Sequence, residues 1–93
     1  AFRASLALLL SEQNQFAEAQ TLLATGEPEV VPYPEEHAKF LCKKGQVQHL
    51  SGDADGARAS LEQARALAVE PNVRGEGEVG QAIRELEAVL SEG

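Results

Sequence analysis

The sequence is short of the large residues that usually fill a protein core. It contains three phenylalanines, one tyrosine, no tryptophan and no methionine among 93 residues. Hydrophobic residues still make up 43% of the chain, so a core must consist mainly of leucine, valine and alanine. Alanine favours helices and lets helix axes approach closely. This composition predicts an all-α fold, and the length predicts a single domain.

Cysteine and long apolar segments are also scarce. The single cysteine, Cys42, has no second cysteine in the chain with which to form a disulfide, so nothing in the sequence requires an oxidising compartment. No apolar run approaches the roughly 20 residues of a membrane-spanning helix. We expect a cytoplasmic location. A helical pattern already present at residue 2, together with a composition rich in alanine, arginine and glutamate, leads us to expect part of a larger bacterial protein.

Basic residues are few in comparison with acidic ones. Eight lysines and arginines stand against fifteen aspartates and glutamates, which gives a net charge of −7. Such a charge repels the phosphates of nucleic acids and the surface of anionic membranes. The charge balance therefore argues against general nucleic-acid binding and against membrane binding.

The residues that follow Gly52 predict the second helix of a helical hairpin. Gly52 is suited to end the preceding helix, and the Asp53 side chain can accept a hydrogen bond from the free amides of the next one. Apolar residues then recur at helical spacing until Glu70 and Pro71 stop the helix. The same spacing elsewhere predicts a hairpin over 2–25, a second over 34–70, and a C-terminal capping helix over 78–92 with polar outer positions at Gln81, Arg84, Glu85 and Glu87.

The helix that begins at Pro34 carries two apolar stripes on different sides, which predicts that neighbouring helices cover it on both flanks. One stripe comprises Ala38, Leu41, Cys42 and Gly45, and the other comprises Phe40, Val47 and Leu50. The preceding segment, 26–34, contains three prolines and begins with a glycine suited to stop a helix. We expect it to be non-helical. It forms either a loose linker or, as its apolar content favours, an ordered strap whose apolar residues pack on neighbours: Val30, Val31 and Tyr33.

The two hairpins match each other at a spacing of 38 residues. The matched pairs are Asn14 with Gly52, Ala19 with Ala57, and Leu23 with Leu61. With Leu41 followed four positions later by the small Gly45, this pattern resembles the tetratricopeptide repeat (TPR) family, whose period is about 34 residues. The proline-rich segment accounts for the longer period. The resemblance implies antiparallel hairpins stacked into a short superhelix, with a concave groove that binds peptides or proteins.

Catalytic and metal sites find little support in the sequence. Cys42 and His49 are the one pair that resembles a nucleophile and its base, but seven helical positions separate them by about 10.5 Å along the axis. Proton transfer between such groups needs about 3 Å. One cysteine and two histidines lack the spacing of a zinc site, and the glycines of segment 75–80 follow no strand, as a nucleotide-binding loop would require. We expect a non-catalytic protein without metal or cofactor.

One basic window stands out in this acidic chain. No acidic residue lies between Glu36 and Asp53, although three lysines do. In the TPR family the matching helix face lines the peptide groove, and Lys39 and Lys43 occupy positions that some members use to bind a terminal carboxylate. We expect a peptide-binding surface here, and an ordinary solvated lysine face is the alternative. The residues of this surface are Lys39, Cys42, Lys43, Gln46 and His49.

These patterns together lead us to expect a protein–protein interaction module. Its expected partner is a peptide or protein segment that is acidic or presents its C-terminus. The alternative is a self-association or scaffold domain, in which a second copy of the chain fills the groove and forms a homo-oligomer.

Overall fold

The computed structural model describes residues 2–69, 73 and 77–92. Over these residues the chain forms five α-helices and no β-strand, which confirms the predicted all-α fold. The helices are α1 (Phe2–Glu12), α2 (Phe16–Val30), α3 (Pro34–Leu50), α4 (Ala54–Ala68) and α5 (Glu78–Glu92).

The helices form two layers with α3 at the centre. Helix α3 packs against both α1 and α5, and in the described part of the chain these two do not pack against each other. Helix α2 packs on α1 and α3, whereas α4 packs on α3 and α5. Connections of three residues join the first four helices, so consecutive helices run antiparallel. One layer therefore contains α1, α3 and α5, and the other contains α2 and α4.

The two apolar sides of α3 face two different clusters of buried residues. Phe40 and Val47 pack with residues of α1 and α2, whereas Leu41 and Cys42 pack with residues of α4 and α5. This arrangement confirms that neighbouring helices cover α3 on both flanks. Leu50 was expected in the stripe of Phe40 and Val47, but it is 43% exposed because α3 ends there.

The turns of the two hairpins share one geometry. Asn14 and Gly52 both adopt the left-handed conformation, with φ of 64° and 90°. In each turn the next amide, of Gln15 or Asp53, donates a 2.8 Å hydrogen bond to the carbonyl five residues earlier. The Asp53 side chain also accepts a 2.9 Å hydrogen bond from the Gly56 amide, which confirms the predicted cap. The repeat spacing of 38 residues is thus present in the backbone as well as in the sequence.

The prediction that segment 26–34 is non-helical is wrong for its first half, because α2 continues through Pro28 to Val30. Gly26 does not stop the helix. It is buried, and a Cβ atom built on it would lie 3.2 Å from the Phe40 ring. Pro28 removes one hydrogen bond near the helix end. The close packing at Gly26 and the contact of Val30 with the first cluster stabilise this last turn.

The remaining connection between α2 and α3 is only three residues long, and its apolar side chains do not form the expected strap. Val31 is 52% exposed and Tyr33 is 62% exposed. Of the three apolar residues expected to pack, Val30 alone contacts a core cluster. Pro34 begins α3 as predicted, in the first helical position where its missing amide is not needed.

The C-terminal half agrees with the predicted boundaries. Helix α4 ends at Ala68, and the predicted stop at Glu70 and Pro71 lies outside the described residues. Helix α5 buries Val79 and Leu86, which confirms its predicted apolar stripe. No helix of the described part is long and apolar enough to span a bilayer.

Candidate functional site

An open depression of about 210 Å³ lies on the layer that contains α1, α3 and α5. It forms where α3 runs between the other two helices, and each of these contributes small residues to its lining. Two lysines stand on α3, and two glutamates stand on α5. The lining residues are Ala4 and Ser5 from α1, Lys39 and Lys43 from α3, and Glu78, Gln81, Ala82 and Glu85 from α5.

Lys39 is held between two carboxylates. Its Nζ atom lies 2.8 Å from Oε2 of Glu78 on α5 and 2.9 Å from Oε1 of Glu36 one turn earlier on α3. The hydrogen bond to Glu78, and to a smaller extent the one to Glu36, raises the pKa of Lys39. The bond between Lys39 and Glu78 also lowers the pKa of Glu78. Lys39 is therefore already paired within the fold, and the Glu78 contact joins α5 to α3.

Lys43 and Glu85 are the two charges of the depression that have no ionic partner within the described part of the chain. Among the described residues, neither forms an ion pair, and Glu85 accepts one long hydrogen bond of 3.4 Å from Gln81. Burial is the main cause that raises the pKa of Cys42, and the nearby charges of Glu85 and Lys43 respectively raise and lower it, so both charges lie near this residue of α3. Lys43 is half-buried, whereas Glu85 is exposed. The depression thus offers one unpaired cation and one unpaired carboxylate on adjacent helices.

Cys42, which the sequence placed on the peptide-binding surface, lies in the core instead. Its side chain is fully buried and packs with Leu61 and Leu86. Burial raises the pKa of its thiol to about 11, so the sulfur stays protonated at neutral pH. Consecutive side chains of a helix point about 100° apart. Cys42 therefore lies on the apolar stripe of α3, although the next residue, Lys43, lines the depression. A fully buried thiol cannot contact a peptide on the surface.

The rest of the predicted surface divides between different environments. Gln46 and His49 are half-buried farther along α3 and do not line the depression. Lys44 faces α2, where its Nζ atom lies 2.8 Å from Oε1 of Glu27. The window without acidic residues in the sequence is therefore not free of acids in space. Glu78 partners Lys39 and Glu27 partners Lys44, so two of its three lysines are already paired with acids.

The contribution of α5 to this site was not predicted from the sequence. Gln81 and Glu85 were interpreted as outer positions of a capping helix, but both line the depression. One signal was available: Gln81 follows Lys43 by 38 residues, the spacing that relates the two hairpins. Extending that spacing into α5 places polar residues of α5 beside the lysines of α3.

The described residues bring together no group of three histidine, cysteine, aspartate or glutamate side chains that could hold a metal ion. Comparison with protein-family models, with curated proteins and with solved structures found no match for this chain. The resemblance to the TPR family therefore stays a prediction, which rests on the sequence pattern and on the shared turn geometry of the two hairpins.

Proposed function

We propose that this chain is a non-catalytic protein-interaction module that binds a peptide or protein segment in the depression between α1, α3 and α5. The observation that carries this proposal is the ammonium group of Lys43, which has no ion-pair partner among the described residues and stands in a concave site whose lining includes the small residues Ala4, Ser5 and Ala82. The TPR resemblance implies binding on the same layer of helices. We further propose that the module belongs to a larger bacterial protein in the cytoplasm.

The chemistry of the depression favours a ligand that presents a carboxylate. Lys43 is half-buried in this concave site, so a carboxylate bound to its ammonium group would be partly shielded from water. A charge-assisted hydrogen bond contributes about 1.5–3 kcal/mol where water is partly excluded. The small side chains of Ala4 and Ala82 leave room for a peptide backbone. Either an acidic side chain or the C-terminus of a chain can supply the carboxylate.

One ionic contact in an open depression gives modest affinity. This affinity depends on salt because dissolved ions screen exposed charges, with a screening length of about 10 Å at 0.1 M. The test is a titration of fluorescent peptides with one acidic side chain. Each peptide is made both with a free C-terminus and with an amidated one. The wild type is compared with Lys39→Ala/Lys43→Ala. The matched control, Arg58→Ala/Arg84→Ala, also removes two positive charges, but from exposed positions outside the depression.

We expect the double lysine variant to bind about tenfold more weakly than the wild type. The control variant should bind as the wild type does, and added salt should weaken binding. Absence of binding, or binding that ignores both salt and the lysine substitutions, would contradict the proposal.

Sedimentation of the same samples distinguishes peptide binding from self-association. If the chain is a scaffold domain whose groove a second copy fills, its mass in solution will be that of a stable dimer and added peptide will not bind. A monomer that binds peptide supports the proposed function.

A further inference from the structure

The four charged residues that line the depression balance each other, although the whole chain carries a net charge of −7. Lys39 and Lys43 on α3 stand beside Glu78 and Glu85 on α5. Lys39 is already paired with two carboxylates, Glu78 at 2.8 Å and Glu36 at 2.9 Å. One cation, Lys43, and one carboxylate, Glu85, remain for a ligand within the part of the chain that the structure describes.

A ligand with charges of one sign satisfies only half of this site. A purely acidic segment can pair with Lys43, but Glu85 and the net negative charge of the chain repel it. A purely basic segment can pair with Glu85, but it then lies against Lys43. Like charges repel each other, and the low-dielectric walls of a depression strengthen this repulsion.

We propose that the bound segment carries both a carboxylate and a basic group, which pair with Lys43 and Glu85 respectively. This inference rests on the proposed function and specifies its partner: a segment of mixed charge rather than an acidic one. It also changes the expectation from the sequence, in which the lysine window alone indicated an acidic ligand.

The helix packing limits the spacing between the two ligand charges. Axes of packed helices lie about 8–10 Å apart, and Lys43 and Glu85 stand on packed helices. An extended peptide advances about 3.3 Å per residue. The carboxylate and the basic group should therefore lie two or three residues apart in the bound segment.

The experiment uses short peptides blocked at both ends, so that side chains supply the only charges. One series carries glutamate and lysine two residues apart, and a second carries them three residues apart. In each series, a peptide with both charges is compared with one whose lysine is replaced by glutamine and one whose glutamate is replaced by glutamine. Each peptide is titrated against the wild type, Lys43→Gln and Glu85→Gln.

We expect the mixed-charge peptide of at least one series to bind the wild type roughly threefold to tenfold more tightly than either single-charge peptide. Glu85→Gln should abolish the advantage of the peptide lysine and keep that of the glutamate, and Lys43→Gln should do the reverse. Equal binding of mixed and acidic peptides, with dependence on Lys43 intact, overturns this inference and leaves the proposed function standing. Absence of binding by every peptide overturns both.

Discussion

Gly45 on α3 lies so close to Leu86 on α5 that a Cβ atom built on the glycine would come 2.7 Å from Cδ2 of the leucine. Leu86 is fully buried and packs with Leu61 and Cys42, so its side chain has little freedom to move aside. The missing side chain at residue 45 therefore lets α5 pack closely against α3. The same approach brings the glutamates of α5 beside the lysines of α3.

Gly45→Ala should lower the free energy of unfolding. Alanine is better than glycine within a helix by up to about 1 kcal/mol, but overpacking a core costs about 1–3 kcal/mol. Denaturant melts should show a net loss for the single variant. In a Leu86→Ala background, which removes the clashing atoms, Gly45→Ala should instead stabilise the protein. Stabilisation by Gly45→Ala in the wild-type background would contradict the close contact.

Leu61 should be one of the residues on which the stability of the second hairpin depends. It is nearly fully buried between α3 and α5 in the cluster that contains Leu41 and Leu86. Leu61→Ala should therefore lower the free energy of unfolding by about 2–5 kcal/mol. Its exposed neighbour Glu62 provides the control, since Glu62→Ala should change the free energy of unfolding by less than about 0.5 kcal/mol. Denaturant melts of equal midpoint for the two variants would show that the hairpin register is wrong.

The shared turn geometry predicts that one substitution destabilises the fold and that another leaves its stability nearly unchanged. Gly52 has a φ of 90°, and a Cβ atom there would meet nothing within 4 Å, so Gly52→Ala should cost about 1 kcal/mol through backbone strain alone. Asn14 has a φ of 64°, which glycine adopts readily, so Asn14→Gly should change stability by less than about 0.5 kcal/mol. Thermal or denaturant melts measure both effects. A neutral Gly52→Ala would contradict the left-handed turn.

Much of the fold follows from residues that are close in sequence. Helical periodicity predicted five helices, the two-sided burial of α3, and the repeat that relates Asn14 to Gly52. The end of α2 could not be predicted in this way. Local rules assign Gly26 and Pro28 to a helix stop, whereas close packing of Gly26 against Phe40 keeps this turn helical. Such a contact depends on residues far apart in the chain.

The candidate site was predicted on one helix only. Lys39 and Lys43 were identified from the basic window of α3, and both line the depression. Their acidic neighbours, Glu78 and Glu85, come from α5, which follows about 40 positions later in the sequence. Their placement depends on how the helices stack, and local spacing does not report it. Cys42 was assigned both to an apolar stripe of α3 and to the peptide-binding surface, and its burial confirms the first assignment and excludes the second.

The Lys39–Glu78 contact predicts a dependence on pH. The pKa of Glu78 lies below its ordinary value of 4.5 because Lys39 donates a hydrogen bond to its carboxylate. The contact therefore stabilises the fold above the unfolded-state pKa of the glutamate, and its contribution disappears as pH falls through the lowered folded-state pKa. In Lys39→Ala, NMR titration of Glu78 should give a pKa closer to 4.5. Arg84→Ala, which removes a charge elsewhere on α5, serves as the control, and an unchanged pKa in Lys39→Ala would contradict the contact.

The central claim is that the layer of α1, α3 and α5 binds a peptide, and NMR mapping of amide shifts tests it most directly. A mixed-charge peptide is titrated into the isotope-labelled chain, with Lys43→Gln as the comparison. The backbone amides that move most should lie at residues 4–5, 39–43 and 78–85, and their shifts should shrink in the variant. Shifts confined to α2 and α4, or shifts of equal size in Lys43→Gln, would contradict binding in the depression.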